Sequence, residues 1–395
     1  MKKPLIVQKF GGTSVGSIEK IHGVAEHIIK AKNAGNQVVV VVSAMSGETN
    51  RLMDLATQID SVPTARELDV LLSAGEQVSM ALLAMTLNKL GYPARSLTGG
   101  QAGITTDSQH NDATITHIET SMVNQWLEQD NIVIVAGFQG TNELGDITTL
   151  GRGGSDTTAV TLAGALHADE CQIFTDVDGI YTCDPRIVSR AQKLDVIDFP
   201  SMEEMAKKGA KVLHLPSVQF AWQHNVPLRV LSTFEPGPGS LVAGEECHAD
   251  VCGLAVQRDV VMIQVDNGSL SALLTQCQML GIAVSNVIER ADWTGIVIKQ
   301  DARPKLELVF HDKIRNSEEV SLLTAVGKQA EGLVEHAQAL LGEEGIEVPF
   351  ICCQKQSLAL ILSPAHIERA ANILHDVYIK ANIAIDCQPK HAFLG

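Results

Sequence analysis

The chain has 395 residues, more than one ordinary hydrophobic core needs, so its length favours two or three domains. Hydrophobic residues make up 45% of it and aromatic residues only 4%, which predicts an aliphatic core such as buried parallel strands provide. The formal net charge of −16 argues against a nucleic acid or an anionic membrane as partner, because both bind basic surfaces.

The opening segment and the cysteines favour a cytoplasmic protein. MKKPLIVQKFGG passes from two lysines directly into a strand-like segment, and its apolar part is too short for a signal peptide. The longest apolar run, around residues 38–42, falls far below the roughly 18 residues that span a bilayer. The eight cysteines lack paired CxxC spacing and predict free thiols in a reducing compartment. Metal binding by Cys247, His248 and Cys252, or by Cys352 and Cys353, is the disfavoured alternative.

Strands and helices alternate in the first half of the chain. Hydrophobic periodicity predicts, in chain order, a strand at 4–10, a helix from Ile18 that ends at Gly35, a strand at 36–47, a strand at 132–138, a helix at 156–167 and a strand at 170–179. Strand, glycine turn, helix and strand in succession form the parallel βαβ unit. Ligands of such sheets bind beyond the carboxyl ends of the strands, where the small-residue turns of this chain fall.

The composition changes near residue 235 to FEPGPGSLVAGEE, which favours a domain boundary. Beyond it, the order strand, helix, strand, strand occurs twice, as in a repeated ferredoxin-like half. The predicted segments are 260–266, 269–280, 282–289 and 294–299, then 320–326, 330–342, 346–353 and 357–362, followed by a helix at 366–379. Tandem modules of this type bind a metabolite or pair subunits.

Two glycine-rich turns favour an anionic ligand. KFGGTS follows the first strand, and TLGRGGSDTTA precedes the helix at 156–167. Glycines let backbone N–H groups approach a ligand, and a helix start adds partial positive charge. The first turn is not a Walker sequence, because its lysine precedes the glycines. Taken singly, Lys9 could be a solvated strand-end residue and Asp156 a helix N-cap.

Five stretches, in this order, resemble the aspartokinases of the amino-acid kinase family. They are KFGGTSV, VSAMSGETN, LLSAGEQ, TLGRGGSDTTA and TDVDGIYTCDPR, and the resemblance covers roughly residues 4–245. It implies an α/β amino-acid kinase fold, a mostly parallel central sheet flanked by helices, for a catalytic domain at 1–245. It also implies MgATP-dependent phosphorylation of the β-carboxylate of L-aspartate. The product would be 4-phospho-L-aspartate, at the entry to lysine, threonine and methionine biosynthesis.

The chemistry of this reaction asks for charge rather than for a general base. A carboxylate nucleophile is already ionised at pH 7, so no catalytic histidine is expected. Two anions, the substrate carboxylate and the ATP phosphate, must be brought in line. The negative charge of the transferring phosphoryl group must be stabilised by cations and backbone N–H groups. The resemblance implies Lys9 for the phosphates and Lys211, from KGAKVLH, as a second catalytic lysine. Asp156 would hold both ammonium groups.

An amino-acid substrate needs partners of both charge signs. Arg152 suits the α-carboxylate, because a guanidinium binds a carboxylate through two parallel hydrogen bonds. Glu76 suits the α-ammonium group, although without the resemblance it would be taken for a surface helix residue. The other expected substrate contacts are Ser43, Thr49, Gly153 and Ser155. The expected nucleotide contacts are Lys9, Gly11, Gly12, Thr175, Asp176, Tyr181, Asp184, Arg186 and Lys211. No protein-held metal site is assigned, and Mg²⁺ is expected with ATP.

In aspartokinases the C-terminal region is a pair of ACT modules, one inserted within the other. The resemblance places them at 250–395, with about 260–318 inserted within 250–259 plus 319–395, and a last strand at 382–387. It implies a homodimer or homotetramer formed through this region. The effector loops, VDNGSLSALL and VGKQAEGLVEHA, are shortened, so weak or altered feedback control is expected. Loops rebuilt around another ligand, with Asn267, Gly268, Ser269 and Gln329 as binding groups, are the alternative.

Two other functions stay open. One is a carboxylate kinase of the same fold that acts on glutamate or acetylglutamate, although an N-acetylated substrate has no ammonium group for Glu76 to meet. The other is a nucleotide-binding regulatory protein without catalysis, which would suit degenerate effector loops. The presence of the charged residues that phosphoryl transfer needs argues against it.

Overall fold

The computed structural model describes residues 3–210, 212–246 and 249–382, which form two compact units. The first unit holds residues 3–180, Asp195–Phe199 and Val212–Gly244. The second unit holds Tyr181–Leu194, residues 200–210 and the described residues after 244.

The elements are numbered in chain order. The strands are β1 (Leu5–Phe10), β2 (Gln37–Val42), β3 (Ala94–Leu97), β4 (Ile104–Thr106), β5 (Ile115–Ile118), β6 (Ile132–Ala136), β7 (Gln139–Thr141), β8 (Ile147–Thr149), β9 (Glu170–Thr175), β10 (Ile180–Tyr181), β11 (Lys193–Leu194), β12 (Val196–Ile197), β13 (Leu228–Ser232), β14 (Ser240–Val242), β15 (Gly253–Val265), β16 (Val284–Glu289), β17 (Thr294–Lys299), β18 (Ile314–Val326), β19 (Phe350–Gln354) and β20 (Ser357–Leu362). The α-helices are α1 (Ile18–Asn33), α2 (Glu48–Ile59), α3 (Ala65–Lys89), α4 (Ser121–Glu128), α5 (Gly154–Leu166), α6 (Phe199–Lys207), α7 (Leu215–Gln223), α8 (Leu270–Met279), α9 (Arg303–Phe310), α10 (Val334–Glu343) and α11 (Ile367–Asn382).

An eight-stranded sheet organises the first unit, in the order β12-β14-β13-β9-β1-β2-β6-β3. The pairs among β13, β9, β1, β2, β6 and β3 are all parallel, and β13–β14 is antiparallel. The five valines of β2 are fully buried, because helices cover both faces of such a sheet. The predicted mostly parallel α/β fold is confirmed. In the register, Lys9 lies opposite Val41 of β2 and Ile173 of β9, so it stands near the carboxyl end of the strand between them.

Helix α3 is a core helix of the first unit. Among the described residues it is the one helix long and apolar enough to cross a membrane by length and composition alone. Half of its apolar window is buried within the protein, as is usual for the core helix of a soluble protein. Leu83 and Leu87 are fully buried and belong to the same hydrophobic cluster as Val40 of β2. The apolar face of α3 is therefore used to pack on the sheet.

A smaller four-stranded sheet, in the order β5-β4-β7-β8, completes the first unit. Its strand β8 leads through Leu150–Gly153 into helix α5, which begins at Gly154. Gly153 caps this helix at φ 72°, and Gly151 has φ 70°, a left-handed conformation that glycine adopts without steric cost. The glycines of GRGG therefore form the turn between strand and helix.

The second unit is built on an antiparallel sheet in the order β16-β17-β15-β18-β20-β19. The two longest strands, β15 and β18, pair along most of their lengths, with an irregularity between Gln257 and Val260. Helices α8 and α9 pack on one half of the sheet, and α10 and α11 pack on the other. Each half has the strands and two helices of a ferredoxin-like module. Because β15 and β18 run through both halves, the half that carries α8 and α9 is one continuous segment, inserted between the two segments that form the half carrying α10 and α11.

Several predicted boundaries differ from the structure. The strands predicted at 260–266 and 320–326 are parts of the longer β15 and β18, and the strand predicted at 346–353 begins only after Pro349. Helix α9 is not predicted from the sequence, because only Leu306 and Phe310 of it are buried and the apolar stripe is short. The strand predicted at 382–387 is wrong at its first residue, where α11 still continues, and residues 383–387 lie outside the described part of the chain.

Candidate active site

A cavity of about 370 Å³ lies at the carboxyl ends of the central parallel strands. Turns after β1 and β2, helix α3 and the start of α5 supply its walls. Eight of the site residues predicted from the sequence line it, namely Lys9, Gly12, Ser43, Thr49, Glu76, Gly153, Ser155 and Asp156. The structure therefore brings together residues that are almost 150 positions apart in the chain.

An ion pair between Lys9 and Asp156 lies in this cavity. The Lys9 Nζ is 2.6 Å from the Asp156 Oδ1, and the two side chains are only 12% and 18% exposed. Lys9 comes from the end of β1, and Asp156 comes from the first turn of α5, where a negative charge also favours the helix start. Two partly buried charges of opposite sign thus compensate each other at the place where a phosphate would need a cation.

Close backbone approaches hold the walls of the cavity together. A Cβ placed on Gly12 would lie 2.9 Å from the carbonyl oxygen of Ala44, and one on Gly75 would lie 2.8 Å from the Ala44 Cβ. A Cβ on Gly137 would lie 2.9 Å from the Ser155 Cβ. These separations are too short for real side chains. Glycine at the three positions lets the turn after β1, helix α3 and helix α5 converge on the same small volume.

Glu76 is a buried carboxyl group with one oxygen engaged. It is 4% exposed, and its Oε1 accepts a hydrogen bond from the backbone N–H of Ala44 at 3.0 Å. Its Oε2 is buried and accepts no hydrogen bond from any described residue. Burial raises the pKa of Glu76 from 4.5 to about 7, and the Ala44 N–H opposes this shift in part. An ammonium group brought to Oε2 would supply the missing donor and stabilise the carboxylate.

Arg152 occupies a different position from the other residues that the sequence predicts to contact the substrate. It stands between Gly151 and Gly153 in the turn before α5, is exposed, and is not among the described residues that line the cavity. The turn itself is tightly constrained, since a Cβ on Gly153 would lie 2.4 Å from the ring of His214. Arg152 is thus an exposed side chain on a constrained backbone turn.

The residues predicted to contact a nucleotide are spread over two units. Gly11, Thr175 and Asp176 belong to the first unit, and a Cβ on Gly11 would lie 3.7 Å from the Lys9 Nζ. The N–H of Gly11 donates to the carbonyl of Phe174 at 3.4 Å. The remaining predicted residues, Tyr181, Asp184 and Arg186, belong to the second unit, and Lys211 lies outside the described residues.

The Asp184 carboxylate is paired with the Arg186 guanidinium at 2.7 Å, which lowers the pKa of Asp184. Within residues 3–210, 212–246 and 249–382, no group of three or more His, Cys, Asp or Glu side chains is placed to hold a metal ion.

Half of the described residues that line the cavity are not predicted from the sequence. The lining also includes Ala44, Met45, Ser46, Gly47, Asn50, Phe138, Gly151 and Gly154. Most of these follow β2 within VSAMSGETN, a stretch in which the sequence analysis identifies only Ser43 and Thr49 as contacts. The ring of His214 lies against Gly153. His214 comes three residues after Lys211 in the chain and is not predicted from the sequence as part of the site either. Position at a strand end was the signal that could have identified the whole turn.

Comparisons with known proteins show the family and the fold of the chain. The amino acid kinase family matches residues 4–232. An aspartate kinase of Pseudomonas putida is 44% identical, over 95% of this chain and 97% of that protein. The structure of Escherichia coli aspartokinase III in complex with aspartate and ADP has a TM-score of 0.77 and 25% identity, and covers 94% of this chain and 99% of that one. The same enzyme in complex with lysine and aspartate has a TM-score of 0.78 and 25% identity, over 95% and 99% of the two chains.

The raised pKa of Glu76 predicts a pH-dependent stability difference for Glu76→Gln. A carboxyl whose pKa is higher in the folded state destabilises the fold progressively as the pH rises from about 4.5 to about 7. Glutamine cannot ionise, so the Tm of Glu76→Gln should rise relative to wild type between pH 5 and pH 8, as measured by calorimetry. Glu48→Gln is the matched control, because Arg51 lowers the pKa of Glu48 and its ionisation is complete over this range. A Tm difference at Glu76 that stays constant with pH would contradict the assignment.

Proposed function

This chain belongs to the aspartokinases of the amino-acid kinase family, and on that premise we propose how its residues carry out the reaction. Its activity is that of an aspartate kinase, an ATP-dependent phosphotransferase. We propose that the γ-phosphate of ATP passes to the β-carboxylate of L-aspartate and gives 4-phospho-L-aspartate. This acyl phosphate would be the first intermediate of lysine, threonine and methionine biosynthesis.

One observation carries the proposal. In a single cavity, the Lys9–Asp156 ion pair lies near a buried Glu76 oxygen that accepts no hydrogen bond from any described residue. Asp156 holds the Lys9 ammonium group where it can bind a phosphate. The Glu76 Oε2 can accept a hydrogen bond from the ammonium group of an amino acid. This pairing favours a substrate with a free amine over an N-acetylated one.

Catalysis then depends on positioned charge. Lys9 meets the negative charge of the transferring phosphoryl group, Asp156 holds the Lys9 ammonium in place, and Lys211 acts as a second cation. Mg²⁺ is expected to bind with the nucleotide phosphates, since this ion is commonly held by one or two carboxylates together with substrate phosphates. The aspartate β-carboxylate attacks as the ionised form and needs no base.

The substrate is held at its two other charged groups. We assign the α-ammonium to Glu76 Oε2 and the α-carboxylate to Arg152, with Ser43, Thr49, Gly153 and Ser155 as further contacts. Escherichia coli aspartokinase III binds aspartate and ADP, and we propose that the cavity of this chain receives the same pair. Thr175, Asp176, Tyr181, Asp184 and Arg186 are assigned to the nucleotide, with Gly11 and Gly12 next to its phosphates.

We propose that residues 250–395, which make up most of the second unit, are a pair of ACT modules through which the chain forms a homodimer or homotetramer. Its two ferredoxin-like halves and the long shared strands β15 and β18 support this assignment. The inserted module would comprise about 260–318, within 250–259 plus 319–395.

Removing either member of the ion pair should slow catalysis more than it weakens binding. Lys9→Ala and Asp156→Ala should each lower kcat by about 10²–10³-fold, because they act on charge that develops in the transition state. The KM for ATP should change much less. Steady-state kinetics with hydroxamate trapping of the acyl phosphate measures both. Lys30→Ala, an exposed lysine of α1, is the control, and an effect on KM alone would show that the assigned roles are wrong.

Loss of the substrate partners should weaken aspartate binding selectively. Arg152→Ala should raise the KM for aspartate about tenfold or more and leave that for ATP nearly unchanged, because the α-carboxylate loses its partner. Glu76→Gln should have the same selectivity without a change of shape. Calorimetric titration with aspartate checks both variants. Unchanged aspartate affinity in Arg152→Ala would place the carboxylate partner elsewhere.

Feedback control by lysine or threonine should be weak. An effector shifts activity only if it binds two states unequally, and the shortened loops offer it few backbone groups. In the first loop, the Asn267 amide already donates to the carbonyls of Arg290 and Ala291, at 3.3 and 2.9 Å. Activity should be measured at low and at saturating aspartate with each amino acid at millimolar concentration. Strong cooperative inhibition would contradict the expectation.

A further inference from the structure

A buried carboxylate away from the cavity, that of Asp69 on α3, has a full set of partners. Asp69 is 0% exposed, and its Oδ2 lies 2.6 Å from the Nδ1 of His110. Its Oδ1 accepts the hydroxyl hydrogen of Thr149 at 2.5 Å. The backbone N–H of Asn111 donates to both oxygens, at 3.0 and 3.2 Å. We call Asp69, His110 and Thr149 the clamp.

The clamp ties three segments of the first unit together. Helix α3 carries Asp69, the loop at 107–114 carries His110, and β8 ends at Thr149. The same loop also donates from the N–H of Ala113 to the carbonyl of Thr149 at 2.8 Å. The end of β8 is therefore fixed through both its side chain and its backbone.

The clamp lies directly before the turn that carries Arg152. Two residues lie between Thr149 and Arg152. The loop at 107–114 also lies close against the turn, since a Cβ on Gly151 would be 2.6 Å from the Asp112 Oδ1. The Arg152 side chain itself is exposed. Its reach is thus set by the backbone from which it extends.

We propose that the clamp positions Arg152 for the α-carboxylate of the substrate. The proposal rests on the assigned role of Arg152 and adds Asp69 and His110 as positioning residues that do not touch substrate. Glu76 stands seven residues after Asp69 on the same buried face of α3. The same helix therefore carries Glu76 and, through the clamp, positions Arg152. A backbone shift of about 1 Å in the turn that carries Arg152 can lower the rate of substrate conversion by a large factor.

The expected result is a selective loss of aspartate binding. His110→Ala should raise the KM for aspartate about tenfold, with less than about threefold change in kcat or in the KM for ATP. His110→Asn, whose amide N–H can take the place of the Nδ1 donor, should restore most of the affinity. His117→Ala, at an exposed histidine of β5, is the matched control and should change neither KM.

Thr149 supplies a second and smaller perturbation, in case His110→Ala folds poorly. Thr149→Val removes the hydroxyl at nearly constant shape and should raise the KM for aspartate severalfold. Thr149→Ser keeps the hydroxyl and should not. Equal effects of these two substitutions would overturn the proposal.

A double variant separates this proposal from the role of Arg152. If the clamp acts through Arg152, His110→Ala should add no further increase in the KM for aspartate once Arg152→Ala is present. Additive effects would overturn the clamp proposal and leave the Arg152 assignment intact. An unchanged aspartate KM in Arg152→Ala alone would overturn the Arg152 assignment, and the clamp proposal with it.

Limited trypsin digestion gives a readout that does not depend on activity. Trypsin cleaves after exposed arginines, so a loosened turn should be cut after Arg152 several times faster in His110→Ala than in wild type or His117→Ala. Equal cleavage rates in all three would show that the clamp does not hold the turn.

Discussion

The ion pair between Lys9 and Asp156 is the constraint on which the first unit depends. A largely buried ammonium group and a largely buried carboxylate are each costly alone, so the fold must keep the end of β1 and the first turn of α5 in contact. That requirement explains the glycines around them. Gly12 and Gly137 allow backbone approaches that a side chain would prevent, and they bring neighbouring turns close to the two charged groups.

Helix α3 is the second organising element, because its buried face holds polar groups as well as apolar ones. Leu83 and Leu87 attach the helix to the sheet, while Glu76 and Asp69 face the converging turns. A helix fixed by its hydrophobic face can hold carboxylates at defined positions without using mobile loops. Burial raises the pKa of Glu76 to about 7 and leaves its Oε2 without a hydrogen-bond donor among the described residues, and such perturbed groups are common at functional sites.

Much of the first unit could be predicted from the sequence, because its strands are short aliphatic runs that end in small-residue turns. β1, α1 and β2 occur within a few residues of their predicted bounds. The burial of Glu76 could not be predicted, since a glutamate in a helix is usually exposed and its hydrogen bond with the Ala44 N–H is a tertiary contact.

The glycines on either side of Arg152, Gly151 and Gly153, adopt left-handed conformations that the sequence permits without specifying. The assignment of residues 181–194 to the second unit likewise reflects long-range packing, since Cys183 and Val188 join a core that includes Leu374.

The most direct test of the central claim is a crystal structure of the protein with ADP, Mg²⁺, L-aspartate and aluminium fluoride, which mimics the transferring phosphoryl group. In that structure the aluminium fluoride should lie about 3 Å from the Lys9 Nζ, with Asp156 still in contact with that ammonium group. A fluoride bound away from Lys9, with the Lys9–Asp156 pair unchanged and facing no ligand, would contradict it.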